Sequence, residues 1–121
     1  MIALDEGVAE ALGTGGTMDI TTTGRRSGQP RRIELVYHNV DGRILISGKP
    51  GFPRSWIANL KAHPRFTFHL THGVRADLPA TARVITDRTE REQLLRPIAE
   101  GWRINLAVMV ASAPLVEVTF D

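Results

Sequence analysis

The dipeptide Asp41-Gly42 constrains this chain more than any other feature. A two-residue hairpin turn of type I′ needs positive φ at both central positions, and Asp-Gly tolerates it well. On its N-terminal side, Pro30 to Val40 alternates, with Ile33, Leu35 and Tyr37 on one face and Arg32, Glu34, Val36 and His38 on the other. On its C-terminal side, Arg43 to Ser47 returns, and the run Ile44-Leu45-Ile46 predicts burial on both faces. Antiparallel pairing is therefore built into the middle of the chain.

The remaining segments extend that pattern. A short acidic helix is expected from Leu4 to Leu12, ended by Gly13, Gly15 and Gly16. Thr17 to Thr23 is β-branched, with Met18 and Ile20 alternating against Asp19 and Thr21, and reads as a strand. Gly48 to Pro53 is a rigid Gly/Pro loop, and a helix follows from Arg54 to Ala62, with Ser55 as its N-cap and His63-Pro64 as its stop. Strands are expected over Arg65 to Leu70 and Val74 to Ile85, with Pro79 marking an edge or a bulge. Asp87 to Glu90 has the form of a capping box, so a helix starts there, kinked or stopped near Pro97 and ended by Gly101. Trp102 to Ala113 fits helix or strand, and Leu115 to Phe120 is a terminal strand. Six strands and two or three short helices, mostly joined by hairpins, predict a mainly β (α+β) fold. The expected architecture is a six- to seven-stranded antiparallel sheet closed into a small barrel with short flanking helices.

With 121 residues, a single domain spanning 1–121 is expected. No cysteine is present, which excludes disulfides, thiolate metal sites and thiol nucleophiles and suits a cytoplasmic protein. The acidic start, with Asp5, Glu6 and Glu10, is unlike a signal peptide. No apolar run approaches the roughly 20 residues a membrane span needs. The net charge is only +2. Its distribution says more: Arg25, Arg26, Arg31, Arg32, Arg43, Lys49, Arg54, Lys61 and Arg65 crowd one span against only Glu34 and Asp41. A phosphate-bearing or otherwise anionic small ligand is the simplest match. A nucleic-acid partner is not expected, because no aromatic stacking platform accompanies the basic run.

The chain lacks the usual signatures of self-contained catalysis. His69 and His72 straddle a turn near no obvious carboxylate, no serine stands in a nucleophile elbow, and no metal-ligand cluster is spaced for coordination. An enzyme of this composition borrows its reactive group from a cofactor, and the protein supplies binding and orientation. Thr21-Thr22-Thr23-Gly24-Arg25-Arg26-Ser27-Gly28 fits that task, with glycines for close backbone approach and hydroxyls and guanidiniums for an anion. Trp56, Asn59, Leu60 and His63 share one helix face. Trp56 suits a core anchor, and the Asn59 amide suits a polar ligand or a loop carbonyl.

Taken together and in this order, Thr-Thr-x-Gly-Arg-x-Ser-Gly and Trp-x-x-Asn-Leu-x-Ala-His-Pro resemble the deazaflavin-dependent nitroreductase family, within the split β-barrel, flavin-reductase-like superfamily. The resemblance covers residues 21 to about 70. It implies a split β-barrel and an oxidoreductase that passes hydride from reduced coenzyme F420 to a quinone-like, nitro or other conjugated acceptor. It implies that Arg26 and Arg31 hold the cofactor's phosphate or acidic tail, and that Ser47 and Lys49 lie along the deazaflavin ring. Trp56, Asn59 and Leu60 would line the ribityl and phosphate end, with Ala62, His63 and Pro64 ending that wall. No residue of this chain is assigned a catalytic role. Glu34 stands where the family often has proline, and Tyr37 is the one tyrosine where nitroreductase-type members have several. FMN is the less favoured cofactor, because one monophosphate needs fewer cations. An FMN-dependent enzyme of the same fold and a non-enzymatic carrier barrel are the alternatives. Small split barrels often bury a sheet face against a twin, which leaves room for a homodimer. Arg43, on the far side of the hairpin, is expected to be near neutral for cofactor binding.

Overall fold

The computed structural model describes residues 5–51 and 54–121. The expected start of the first helix at Leu4, and Phe52 and Pro53 of the Gly/Pro loop, lie outside the described residues. The elements run α1 (Glu6–Thr14), β1 (Gly16–Thr23), β2 (Pro30–Val40), β3 (Arg43–Ser47), α2 (Ser55–Ala62), β4 (Arg65–Leu70), β5 (Ala76–Val84), α3 (Arg88–Trp102), α4 (Leu106–Ser112) and β6 (Leu115–Phe120). The strands close into an antiparallel barrel in the order β1-β2-β3-β6-β5-β4. The expected antiparallel barrel is borne out.

Local chemistry accounts for the strand boundaries. Asp41 and Gly42 have φ of 52° and 84°, as a type I′ turn requires, and Val40 pairs Arg43 across them. β3 is buried from Ile44 to Ser47 because both its faces are covered. Ile44 and Ile46 point into the barrel with Met18, Ile20, Phe66 and Phe68, while Leu45 packs outward beneath α3 and α4 with Leu94, Leu95, Ile98 and Met109. Pro79 lies where β5 runs past the last β6 pair, Ala80 with Phe120. There the Asp121 N–H still donates to the Pro79 carbonyl at 3.0 Å, so proline forfeits only the one ladder bond that its missing N–H would make, at the end of the β5–β6 ladder.

The helices depart more from expectation. Four are present among the described residues. α3 passes through both Pro97 and Gly101. Proline deprives the carbonyl four residues back of its partner, but Gln93 and Pro97 both face solvent, so water can satisfy that oxygen. The left-handed cap falls on Arg103, at φ 56°, and the Ile104 N–H reaches back to the Ala99 carbonyl at 3.0 Å. The ambiguous stretch forms α4, capped by Asn105, whose Oδ1 accepts from the Val108 N–H at 3.2 Å. Ser55 is the first residue of α2 rather than its cap; Arg54 holds the cap position without a side-chain bond. The capping box at α3 is half formed. Asp87 accepts from the Glu90 N–H at 2.9 Å, but the Glu90 carboxylate turns away to arginines.

Arg43 is one of those arginines. It makes a two-point contact with Glu117, at 2.7 and 3.0 Å, and reaches Glu90 at 3.2 Å. Arg83 bonds the same two carboxylates. The four side chains tie β3, β5 and β6 to the first turn of α3, so Arg43 has a structural task away from the cofactor-binding residues expected from the sequence.

Candidate functional site

The loop between β1 and β2 is a compact turn. The Gly24 N–H donates to the Gln29 carbonyl at 2.8 Å, and the Gly28 N–H to the Gly24 carbonyl at 2.9 Å. Ser27 Oγ accepts from the Gln29 N–H at 3.1 Å. A Cβ at position 24 would lie 2.5 Å from Ser27 Oγ and 3.3 Å from the Gln29 carbonyl oxygen, so a side chain there would displace the Ser27 hydroxyl from its place in the turn. The turn is tied to α2 by Asn59, which is 7% exposed. Its Oδ1 accepts from the Arg25 N–H at 3.0 Å and its Nδ2 donates to Thr22 Oγ1 at 3.1 Å. This link brings the two sequence motifs together in space.

The residues singled out by sequence separate into two layers. Trp56 and Leu60 are 4% and 1% exposed and belong to the barrel core. Asn59 is occupied by the turn, and Ser47, 2% exposed, donates its hydroxyl to the Pro114 carbonyl at 2.7 Å. These four shape the region from beneath. Arg26, Arg31, Lys49, Ala62, His63 and Pro64 are exposed. The side chains of Arg26, Arg31 and Lys49 have no carboxylate partner among the described residues, whereas Arg32, Arg43 and Arg83 are all ion-paired. The Lys49 carbonyl accepts from Arg54 Nη2. A Cβ on Gly48 would come within 2.8 Å of that same nitrogen, so the glycine makes room for the guanidinium.

On the other side of α2 lies a groove of about 790 Å³. Ile57, Val84, Leu106 and Val110 give it apolar walls, and Arg54, Lys61, Arg88 and Arg91 face it against Glu92, the one carboxylate among the described lining residues. Arg91 holds the α4 wall in place. Its Nε donates to the Val110 carbonyl at 2.9 Å, Nη1 to Ile85 at 2.9 Å, and Nη2 to Met109 at 3.3 Å and Ala113 at 2.5 Å. Three of these carbonyls lie at the C-terminal end of α4, where a cation is favoured. Burial pulls the Arg91 pKa down from its usual value. The sequence reading missed this groove because one wall depends on α4, whose type was open.

It also missed a polar chain on the barrel wall. His69 is not remote from carboxylates: its Nδ1 lies 2.6 Å from Asp77 Oδ1, and its Nε2 lies 2.7 Å from Thr21 Oγ1. The hydrogen bond to His69 holds the Asp77 carboxyl below its usual range. The tautomer that gives Nδ1–H to Asp77 leaves Nε2 to accept from the Thr21 hydroxyl. The contact links β1, β4 and β5. Its signal was available, since a hairpin centred on Gly73 sets position 69 opposite 77. Tyr37 is likewise internal, its hydroxyl donating to the Ala11 carbonyl at 2.7 Å to dock α1. Among the described residues, no helix is long and apolar enough to cross a membrane.

A closed six-stranded antiparallel barrel with helices packed outside it defines a split-barrel protein of the flavin-reductase type. Solved structures agree. A pyridoxinephosphate oxidase-family protein of Clostridium acetobutylicum, related to general stress protein 26, matches with a TM-score of 0.70 at 15% identity, over 97% of this chain and 86% of that one. An FAD-binding protein of Mesorhizobium loti matches with a TM-score of 0.64 at 16% identity, over 98% and 91%. An F420-H2 dependent reductase, FDR-A, matches with a TM-score of 0.63 at 25% identity, over 98% and 99%. The family model of the F420H2-dependent quinone reductases matches residues 5–109. The chain belongs to that family, and it is an F420-dependent oxidoreductase.

Proposed function

We propose that the chain passes hydride from reduced coenzyme F420 to a quinone-like, nitro or other conjugated small-molecule acceptor, and that the cofactor's anionic groups are held at the exposed cations Arg26 of the β1–β2 turn, Arg31 at the start of β2 and Lys49 after β3. The observation that carries this reading is the set of unpaired side chains of Arg26, Arg31 and Lys49, in a protein whose other face neutralises its arginines with carboxylates. Cations left without partners keep their charge available for a ligand's phosphate or carboxylates. The residues present fit the coenzyme's anionic end. Trp56, Asn59, Leu60 and Ser47 act beneath it, as props rather than contacts.

Bound reduced F420 supplies the hydride. The chain does the rest by position and environment. Asn59 holds the cation-bearing turn against α2. The apolar walls of the neighbouring groove exclude water and accept a flat conjugated body, and its cations favour an acceptor whose oxygens gain negative charge on reduction. With Glu92 as the one carboxylate among the described lining residues, the proton that completes reduction comes from solvent.

Titration of the purified protein with F420 and with FMN, followed by tryptophan fluorescence, tests the reading. F420 should bind more tightly, and tighter FMN binding would overturn the ranking. Arg26→Ala should raise the F420 dissociation constant by about tenfold to a hundredfold, because charge-assisted contacts contribute roughly 1.5–3 kcal/mol each. Arg31→Lys should also weaken binding, since a point charge does not replace a planar fork. Exposed Arg75 on the β4–β5 turn is the control. Wild-type affinity in Arg26→Ala would sink the assignment of the turn.

A further inference from the structure

The β2 strand is paired toward β1 along most of its length but toward β3 along only about half of it. β1 covers residues 30–37, but β3 covers only 36–40. Along the uncovered stretch Arg31, Arg32, Ile33 and Glu34 are all exposed, and Ile33 is 40% exposed. Such an edge presents unused backbone donors and acceptors and is a template for another strand.

The two flanking turns determine which residues turn those groups outward. The closing pair of the two-residue turn is Val40 with Arg43, so even positions of β2 bond toward β3 and odd positions toward β1. The other turn agrees, because odd-numbered Gln29 accepts from Gly24 on the β1 side. The same alternation leaves the N–H and C=O of Arg32 and Glu34 directed at the open edge.

We propose that this edge pairs with the same edge of a second copy of the chain, antiparallel about a twofold axis through Ile33. Charge selects the register. In-phase self-pairing centred on Arg32 sets that guanidinium against itself, and centring on Glu34 sets two carboxylates together; both repel. Centring on Ile33 sets Arg32 opposite the partner's Glu34 and Glu34 opposite the partner's Arg32, and covers the exposed isoleucine with its twin. The backbone groups of positions 32 and 34 then bond reciprocally, as an isologous contact requires. The side chains are available for it. Glu34 has no side-chain partner among the described residues, and Arg32 engages Asp19 through Nε at 2.8 Å, its terminal nitrogens bonding none of the described residues. Arg31, in the expected cofactor cradle, falls opposite the partner's Leu35, so the two cradles of the dimer are neighbours.

Sedimentation velocity on the full chain tests this across a concentration series. Wild type should show a monomer–dimer equilibrium. Glu34→Arg and Arg32→Glu should each weaken self-association by more than about tenfold, because every crossed pair becomes like-charged. An equimolar mixture of the two variants should form a heterodimer, since their strands are then complementary. Glu34→Pro removes an edge N–H without touching the β1 ladder, and should give a folded monomer by circular dichroism. A wild type that stays monomeric up to about 0.5 mM would overturn the proposal, that concentration bounding the affinity. So would a mixture that fails to associate, or a Glu34→Pro protein that dimerises as wild type does.

Discussion

Asn59 shows what one polar side chain does in this molecule. Sequence placed it on the same helix face as Trp56 and offered it to a ligand or a loop carbonyl. In the fold it is buried and serves a loop N–H and a threonine hydroxyl. Asn59→Ala therefore leaves the Arg25 N–H and Thr22 Oγ1 without their partner, and should cost about 1–3 kcal/mol. Asn59→Asp should cost less, because a carboxylate still accepts from Arg25 and the Thr22 hydroxyl can reverse its role. Urea unfolding measures both, and an alanine variant as stable as wild type would return Asn59 to the ligand. The motif was legible as residue types at a spacing. Its physical task was not, because Thr22 and Arg25 come from a different part of the chain and no local pattern says which amide meets which hydroxyl. The exposure of Arg26 and Arg31 was legible for the opposite reason: a basic cluster without acids already indicates side chains that find no carboxylate partner among the described residues.

At the scale of elements, the strands were readable and the helices less so. A period of two, an Asp-Gly turn and alternating Phe66 and Phe68 leave little freedom. α4 has no such pattern. It is a short helix with a near-continuous apolar face, and tertiary contacts hold it. Met109 is fully buried beneath it, and Arg91 gathers the carbonyls at its end. Pro97 misled in the other direction, since an exposed carbonyl lets a helix pass through proline. The groove depends on α4, so Arg91 is the element-scale test. Arg91→Met keeps the side-chain bulk but removes four donor contacts and leaves buried carbonyls unmatched. The expected loss is on the order of 3 kcal/mol. Because the α4 wall loosens, the KM for a conjugated acceptor that enters the groove as proposed should rise as well, with F420 affinity far less affected. Unchanged stability together with an unchanged KM would show that α4 is held by its apolar face alone.

Over the whole molecule, the barrel and its helical cover meet at one ion network, and this ties stability to pH. Arg83 and Arg43 hold Glu90 at about 2, against an ordinary value of 4.5, and keep Glu117 below its usual range. The arginines are raised in turn. The folded protein therefore binds protons at these carboxylates less readily than the unfolded chain does. Their contribution to stability is complete above the ordinary carboxylate range and is lost as pH falls from about 4.5 toward 2. Side chains of Glu90 and Glu117 are 26% and 21% exposed, so water and salt reach the network and screen part of the effect. Asp77, lowered by His69, loses its pairing in the same acid range, so the acid slope of wild type alone does not isolate the network. Glu90→Gln does. It is neutral at every pH, keeps an oxygen for one arginine, and leaves the Asp87 cap in place. Wild type should be the more stable protein at about pH 6, and the two denaturant midpoints should converge as pH falls toward about 2. Raising the salt concentration should narrow the gap at the higher pH. Curves that run parallel across the whole range would mean that Glu90 gains nothing from its arginines, and that α3 is fastened to the barrel by Leu94, Leu95 and Ile98 alone.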